Sequence, residues 1–407
     1  MCVDCEVTPQ KPIILTFVSY YLPGFKSGGP VRTISNMVDA LGDEFEFRIV
    51  TGDRDLFDME PYAGIDIGSW NRAGKAWVYY IPEKKASYWK WKSLINCTPH
   101  DVIYFNSLFD LRFTLMPLLA IKLMKASRKL LVIAPRGELS PGAIALKGWK
   151  KRPFLFVSRL FSFYHNVLWH ASTEDEANVI RNNLGDSCNV SIAVNVPTIV
   201  PSSNKVMAKE PMPDGSLRIV FLSRISRKKN LDYALRILAR SKVKLRFDIW
   251  GTQEDASYWQ ICQKLIDDMP ANVKVRYCGE VSPAAVVGLL AGYDLFFLPT
   301  LGENYGHVIA EAVSAGTPLL ISNQTPWNGL AKQGVGWDLP LDEDGSGFLQ
   351  ALQESSGKTD AERDQWRMRV LKYAEVRLST PSIIDANRQL FSKAVQKNKA
   401  TDSLQKI

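Results

Sequence analysis

The sequence predicts an α/β protein built as two doubly wound domains whose strand ends face each other across a cleft. Three observations carry that expectation. Apolar, β-branched runs of strand length alternate with stretches of helical spacing. The alternation stops in a proline-containing polar loop and then starts again. Finally, 407 residues are more than one ordinary core holds.

In chain order, the first block has strand-like runs at 12–21 (PIILTFVSYY), 45–51, 101–105, 129–135 and 189–194, with helical spacing at 31–41 and 113–126. The stretch 196–216, VPTIVPSSNKVMAKEPMPDGS, reads as an interdomain connection. The second block has strand-like runs at 217–223, 244–250, 273–279, 294–299 and 318–322, with helical stretches between them. The expected domains are therefore 1–200 and 217–380, joined by a linker over 201–216. A C-terminal helix and tail over 381–407 has the option of crossing back to the first domain.

The chain is 46% hydrophobic and 23% charged, the balance of an ordinary folded protein. No apolar run reaches the roughly 18 residues of a membrane span. The first residues, MCVDCEVTPQKPIILTF, carry acids where a signal peptide carries bases, so a cytoplasmic location is expected. Cysteines 2, 5, 97, 188, 262 and 278 are scattered, which fits reduced thiols better than a disulfide framework. Cys2 and Cys5 make a lone CxxC ahead of the first strand, read as part of a frayed tail. The net charge of +8 is uneven: Arg72 to Arg159 holds 17 Lys/Arg against 4 Asp/Glu, a local +13. Such a patch attracts anionic surfaces.

Candidate chemistry gathers at strand ends in the second block. LSRISRKKN supplies Arg224 and Lys229 before a helix with Asn230 as its expected cap, where backbone N–H groups already favour an anion. Arg227 and Lys228 read as a solvated basic turn. TLGENYGHVIAEAVSAGTPLL (300–320) follows a short buried strand. It places Glu303, Asn304 and Tyr305 in a strand-to-helix loop, and Gly306 where the backbone can approach a ligand. His307 begins the helix, and Glu311 lies one turn into it. Gly251 and Gly279 mark two further strand-end turns able to line a base pocket. Basic groups beside helix starts suit a diphosphate, whereas carboxylates beside them suit hydroxyls. A sugar diphosphonucleotide supplies both, with Glu311 on the ribose and Glu303 on the sugar. Glutamates at a helix start also complement the dipole, but that explains one residue better than the pair.

In the first block, Gly28-Gly29 precede Pro30, which suits the first position of a helix. The pair is a second possible phosphate approach, and equally the signature of a simple tight turn. Arg136 and Glu138 end another strand. Asp53-Arg54-Asp55 imitates a metal-binding DxD but reads as an ordinary acidic loop, and His170 as a local hydrogen bonder. There is no GxGxxG, Walker loop or GxSxG, and four histidines make a histidine metal cluster improbable.

Together FLSRISRKKN, GENYGHVIAEAVSAGTPLL with SNQTPW, and PRGELSP with HASTEDEA resemble the retaining glycosyltransferases of family four, which have the GT-B fold. The resemblance is strongest over 217–338 and looser before 100. It implies Glu303 on the donor sugar, Glu311 on the ribose, and Arg224 and Lys229 on the diphosphate, with Gly28 and Gly29 close to it. It also implies catalysis without a metal or other cofactor. Arg136 stands nearest to a histidine common in relatives, and Tyr305 stands where phenylalanine is common.

The expected donor is a nucleotide sugar, with UDP favoured slightly over GDP, and the expected acceptor a lipid-linked saccharide of bacterial surface polysaccharide synthesis. The basic, aromatic stretches 84–93 and 147–165 would meet the inner membrane surface. Nucleic acid is not an expected partner. The alternatives are a GT-B enzyme that is not a transferase, such as a sugar-nucleotide epimerase, and a non-catalytic protein binding membrane or nucleic acid through its basic patch.

Overall fold

The computed structural model describes residues 11–82, 87–124, 130–145, 148–160, 163–198 and 215–404. The Cys2/Cys5 pair, most of the 196–216 connection and residues 84–86 of the basic stretch lie outside them. The chain divides into two units, Met1–Val196 with Pro381–Ile407, and Pro197–Thr380.

The first unit is one sheet of β1 (Ile13–Phe17), β2 (Glu46–Gly52), β3 (Trp70–Ala73), β4 (Ala76–Ile81), β5 (Val102–Phe105), β6 (Leu131–Ile133), β7 (Val167–Ala171) and β8 (Asn189–Ile192). Its order is β3-β4-β2-β1-β5-β6-β7-β8. Every residue of β1, β5, β6 and β7 is buried. Parallel strands covered on both faces read as unbroken apolar runs for that reason. Only β3 runs antiparallel, pairing with β4 as a hairpin at the sheet edge. The sequence reading did not anticipate this hairpin, because WNRA is polar and half exposed.

Connections that step from β4 towards β8 carry the helices Tyr88–Cys97, Met116–Leu123, Gly148–Leu160 and Glu174–Leu184. The right-handed crossover rule puts all four on one face. The helix Gly29–Leu41 steps the opposite way and covers the other face. The C-terminal helix Thr380–Leu404 joins it there, packing Leu390, Phe391, Ala394 and Val395 into the core with Ile14, Phe47 and Tyr104. Phe391 meets Tyr104 edge-on at 5.4 Å. Asn398 accepts from Leu130 N–H at 2.6 Å and donates to the Asp101 carbonyl at 2.9 Å, which fixes the helix axially.

The second unit is a parallel sheet of β9 (Leu217–Leu222), β10 (Leu245–Trp250), β11 (Val273–Gly279), β12 (Leu295–Leu298), β13 (Leu319–Ser322) and β14 (Gly336–Leu339), ordered β11-β10-β9-β12-β13-β14. Asp248 is buried in it and accepts from Arg276, Arg246 and Tyr293. The direction in which successive strands are added reverses between β9 and β12 here, and between β1 and β5 in the first unit, with both pairs parallel. Crevices at the carboxyl ends beside such reversals are where open α/β sheets take ligands. The fold thus singles out the loops after β1, β5, β9 and β12.

Candidate active site

In the second unit the loops after β9 and β10 are joined beyond the sheet. Ser223 N–H donates to the Trp250 carbonyl at 3.0 Å, Ile225 N–H to Thr252 at 2.8 Å, and Glu254 N–H to Ile225 at 3.2 Å. The crossing requires glycine at 251: φ is +137°, and a Cβ there would sit 1.9 Å from the Ser223 carbonyl oxygen. Gly251 N–H in turn donates to the Gly279 carbonyl at 2.7 Å. Three strand ends are locked together, and Arg224 leaves this lock with its guanidinium 3.0 Å from the Glu254 carboxylate.

Lys229 comes from the 3-10 turn Arg227–Lys229. Leu301 N–H donates to the Lys228 carbonyl at 2.8 Å, and the Asn230 amide to the Pro299 carbonyl at 3.0 Å, so the β9 loop is tied to the β12 loop. Asn230 occupies the cap position in the left-handed region (φ 59°), and its side chain makes this tie instead of capping the helix, a correction to the sequence reading. The consequence is an ion pair between Lys229 Nζ and the Glu303 carboxylate, with side chains only 12% and 11% exposed. Arg227, by contrast, is 61% exposed beside Asp255, as expected of a solvated turn.

Beyond Glu303 the loop is anchored by its own N–H on the Gln324 carbonyl at 3.0 Å. Gly306 stands at φ +79° as the N-cap of the helix His307–Ser314. Glu311 lies one turn along, 4% exposed in a row with Ile309, Ala310, Ala312 and Val313. Asn304 and His307 are half-buried, and Tyr305 is buried with its ring 4.8 Å from that of His307. Trp327 clasps the loop from outside, donating to the Tyr305 carbonyl at 2.6 Å. Burial pushes the Tyr305 phenol well above its usual range, and its hydroxyl has no partner among the described residues. Tyr305→Phe should therefore keep the fold and raise stability by up to about 1 kcal/mol, measured by chemical denaturation.

In the first unit, Gly28 (φ +69°) precedes the helix Gly29–Leu41, with Pro30 in its first turn. The preceding loop is held by Asp55, which accepts from Phe25 N–H at 2.7 Å and Lys26 N–H at 3.0 Å. Asp53 and Asp55 are 3% and 4% exposed. They are buried loop anchors, not the ordinary acidic loop that the sequence suggests: backbone N–H groups replace the lost water at Asp55, and the Arg54 guanidinium does so at Asp53.

Arg136, in the left-handed region at φ +54°, donates to the Asn106 side-chain oxygen at 2.7 Å, to the Asn195 side-chain oxygen and to the Tyr104 hydroxyl. Tyr104 lies 3.0 Å from His170 Nδ1, and His170 Nε2 lies 2.8 Å from the Ala193 carbonyl. The carbonyl requires an Nε2–H donor, which leaves Nδ1 to accept from Tyr104. Burial and the nearby Arg136 charge push the His170 pKa down to about 3, so it is neutral. Glu138 accepts from Leu108 N–H at 2.7 Å, Phe109 N–H at 2.9 Å and Ser107 at 2.8 Å, shaping the loop after β5.

The second unit thus places Arg224, Lys229, Gly251, Gly279, Glu303, Asn304, Tyr305, Gly306, His307 and Glu311 at or just beyond its strand ends, whereas in the first Gly28 and Gly29 start a helix and Arg136 follows a strand. The sequence reading did not single out Glu254. The available signal was WGTQED at the end of a strand adjacent to the one that ends in Arg224. No group of three His, Cys, Asp or Glu side chains is arranged to hold a metal among the described residues.

Two doubly wound sheets of this kind define the GT-B fold, and solved structures agree. Sucrose-phosphate synthase of Thermosynechococcus elongatus matches with a TM-score of 0.68 at 14% identity, over 94% of this chain and 99% of that one. Anabaena HepE in complex with UDP and glucose matches with 0.67 at 14%, over 94% and 100%. WaaG, a glycosyltransferase involved in lipopolysaccharide biosynthesis, matches with 0.62 at 15%, over 94% and 98%. More narrowly, residues 202–337 match the family of glycosyl transferases group 1. An uncharacterized 41.2 kDa protein in the cps region of Klebsiella pneumoniae is 22% identical over 229 residues, 55% of this chain and 60% of that protein. An uncharacterized glycosyltransferase of Methanocaldococcus jannaschii is 28% identical over 114 residues, 27% of this chain and 28% of its own length. Both matches span less than two thirds of those relatives.

Proposed function

We propose that this chain is a retaining, metal-independent glycosyltransferase that moves a sugar from a nucleoside-diphosphate sugar to a lipid-linked glycan during bacterial surface-polysaccharide synthesis. One observation carries the reading: Arg224 and Lys229 meet Glu303 at the β9/β12 switch point, and Glu311 follows one turn into the next helix. That set matches a ligand with a diphosphate at its centre and hydroxyls at both ends. UDP is the favoured nucleotide, since HepE has been solved with UDP and with UDP-glucose. The cps-region relative supports the polysaccharide setting.

Transfer breaks the anomeric C–O bond and leaves charge on the diphosphate, which Arg224 and Lys229 stabilise in the role a divalent ion fills elsewhere. The acceptor hydroxyl oxygen forms the new bond at the same carbon, and its proton passes to the departing phosphate oxygen. This front-face route is favoured over a double displacement, as the resemblance to the retaining family four enzymes implies. Incubation with a UDP-sugar in EDTA, followed by NMR, should give UDP and an α-configured product from an α-configured donor. A β product, or loss of turnover in EDTA, would contradict the reading.

The acceptor side rests on the first unit. Trp89, Leu111, Leu123, Trp149 and Phe156 are between 60% and 76% exposed, all on segments of the helical face that covers β5 to β7. The segments 88–97, 111–123 and 148–160 contain no acid, and Lys92 lies over the Trp89 ring at 5.5 Å. The helices Gly29–Leu41 and Thr380–Leu404 on the opposite face carry no such exposed side chain among the described residues. Apolar anchors flanked by bases suit an anionic bilayer surface, where the chain would act from the cytoplasmic side as a peripheral protein. No helix among the described residues is long and apolar enough to cross a membrane. Sedimentation with phosphatidylglycerol-containing vesicles should retain the protein, and Trp89→Glu with Trp149→Glu should release it. Equal binding by the double variant would refute the docking face.

A further inference from the structure

The two cations of the site are already occupied by carboxylates of the chain itself. Arg224 is held through Nη1 by Glu254, and Lys229 is paired with Glu303. The first pair is half-exposed, at 35% and 31% of the side chains, and the second is nearly buried. Glu254 reaches Arg224 by construction. The Ile225–Gln253 bridge extends the β9–β10 pairing past the sheet, and Glu254 N–H closes it on the Ile225 carbonyl. The site thus sets Arg224 and Lys229 against the carboxylates of Glu254 and Glu303, one for each cation, before any ligand arrives. A diphosphate entering such a site must displace carboxylates from the cations it binds.

Resting on the donor-site reading, we propose that Glu254 and Glu303 act as stand-in anions. They hold the two cations in place while the site is empty and yield them to the diphosphate of the donor. Glu254 is a positioning residue, acting through Arg224 alone. Glu303 has a second task, because release from Lys229 frees its carboxylate to accept hydroxyls of the sugar. Donor entry and the arming of Glu303 are one exchange. After transfer the carboxylates return and help to expel the nucleoside diphosphate, so the pairs weaken product binding as well.

The exchange predicts an unusual sign. Removing a carboxylate from a binding site should strengthen binding of the bare nucleotide. UDP titrated calorimetrically should bind Glu254→Gln about 2- to 5-fold more tightly than wild type, the range of a partly exposed ion pair. Glu303→Gln should bind UDP about tenfold more tightly, because its Lys229 is left buried without a counter-charge until the nucleotide arrives. Unliganded Glu303→Gln should melt lower than wild type and show a larger rise with UDP. Glu254→Asp should return towards wild-type affinity. With a UDP-sugar, Glu254→Gln should lower KM and kcat together, the mark of a lost ground-state competition and not of a damaged fold.

Lys229→Ala is the control, expected to weaken UDP binding in any case. Weakened binding there, with unchanged or weaker binding in Glu254→Gln and Glu303→Gln, overturns the exchange and leaves the donor site standing. Failure of the wild type to bind either UDP or GDP removes the donor site and this inference with it.

Discussion

Alanine at Lys229 or at Arg224 should slow sugar transfer about 10²- to 10³-fold, equivalent to about 2.7–4 kcal/mol of barrier, the usual cost of deleting one preorganised donor to a developing anion. The effect should fall mainly on kcat, since charge on the diphosphate grows as the anomeric bond breaks. Arg224→Lys should restore little, because a guanidinium can fork onto two phosphate oxygens and an ammonium cannot. Lys229→Arg should also recover poorly, since Lys229 is only 12% exposed beside Glu303 and a guanidinium is bulkier than an ammonium. Steady-state kinetics with a UDP-sugar, beside a melting curve for each variant, checks the claim. A kcat within a few-fold of wild type in both alanine variants would leave the diphosphate without its stabilisers.

Gly251→Ala should be among the most damaging single-methyl changes in the second unit. Its Cβ would meet the Ser223 carbonyl oxygen at 1.9 Å at a φ of +137°, and neither partner is a flexible side-chain end. Backbone strain and overpacking together should cost about 2–5 kcal/mol in denaturant titration. The displaced segment leads directly into Arg224, so nucleotide affinity should fall as well. Gly142→Ala provides the contrast. That glycine lies in a helix with nothing within 4 Å of an added Cβ, and alanine there should be neutral or stabilise by about 0.5–1 kcal/mol.

Much of the architecture was legible because of how parallel sheets are buried. β1, β5, β9, β12 and β13 lie in sheet interiors and read as mainly apolar runs, broken in β9 by Arg218. The β3–β4 hairpin escaped notice because its outer strand is half exposed, and β14 (GWDL) because only Gly336 in it is buried. Among site residues, the spacing of Glu303 and Glu311 around Gly306 is local and can be read directly. Glu254 is a different case: its partner lies 30 residues away, and only the register of β9 against β10 brings them together. The same holds for Arg136, whose grip by Asn106 and Asn195 depends on β5, β6 and β8 ending at the same edge of one sheet. Asp53 and Asp55 misled because acids in a loop usually face water, whereas Asp55 accepts from the loop before Gly28.

The measurement that tests the central claim most directly is nucleotide binding by the purified chain, followed by thermal shift. UDP, GDP and their common sugar conjugates would each be added with and without EDTA, beside Glu311→Ala. The account predicts that one nucleotide stabilises the wild type, by about 2.7 kcal/mol at a hundred times its Kd. EDTA should not alter this, and the Glu311→Ala variant should lose it. Indifference to every nucleotide, in a chain that otherwise melts cooperatively, would contradict a donor site at the β9/β12 reversal.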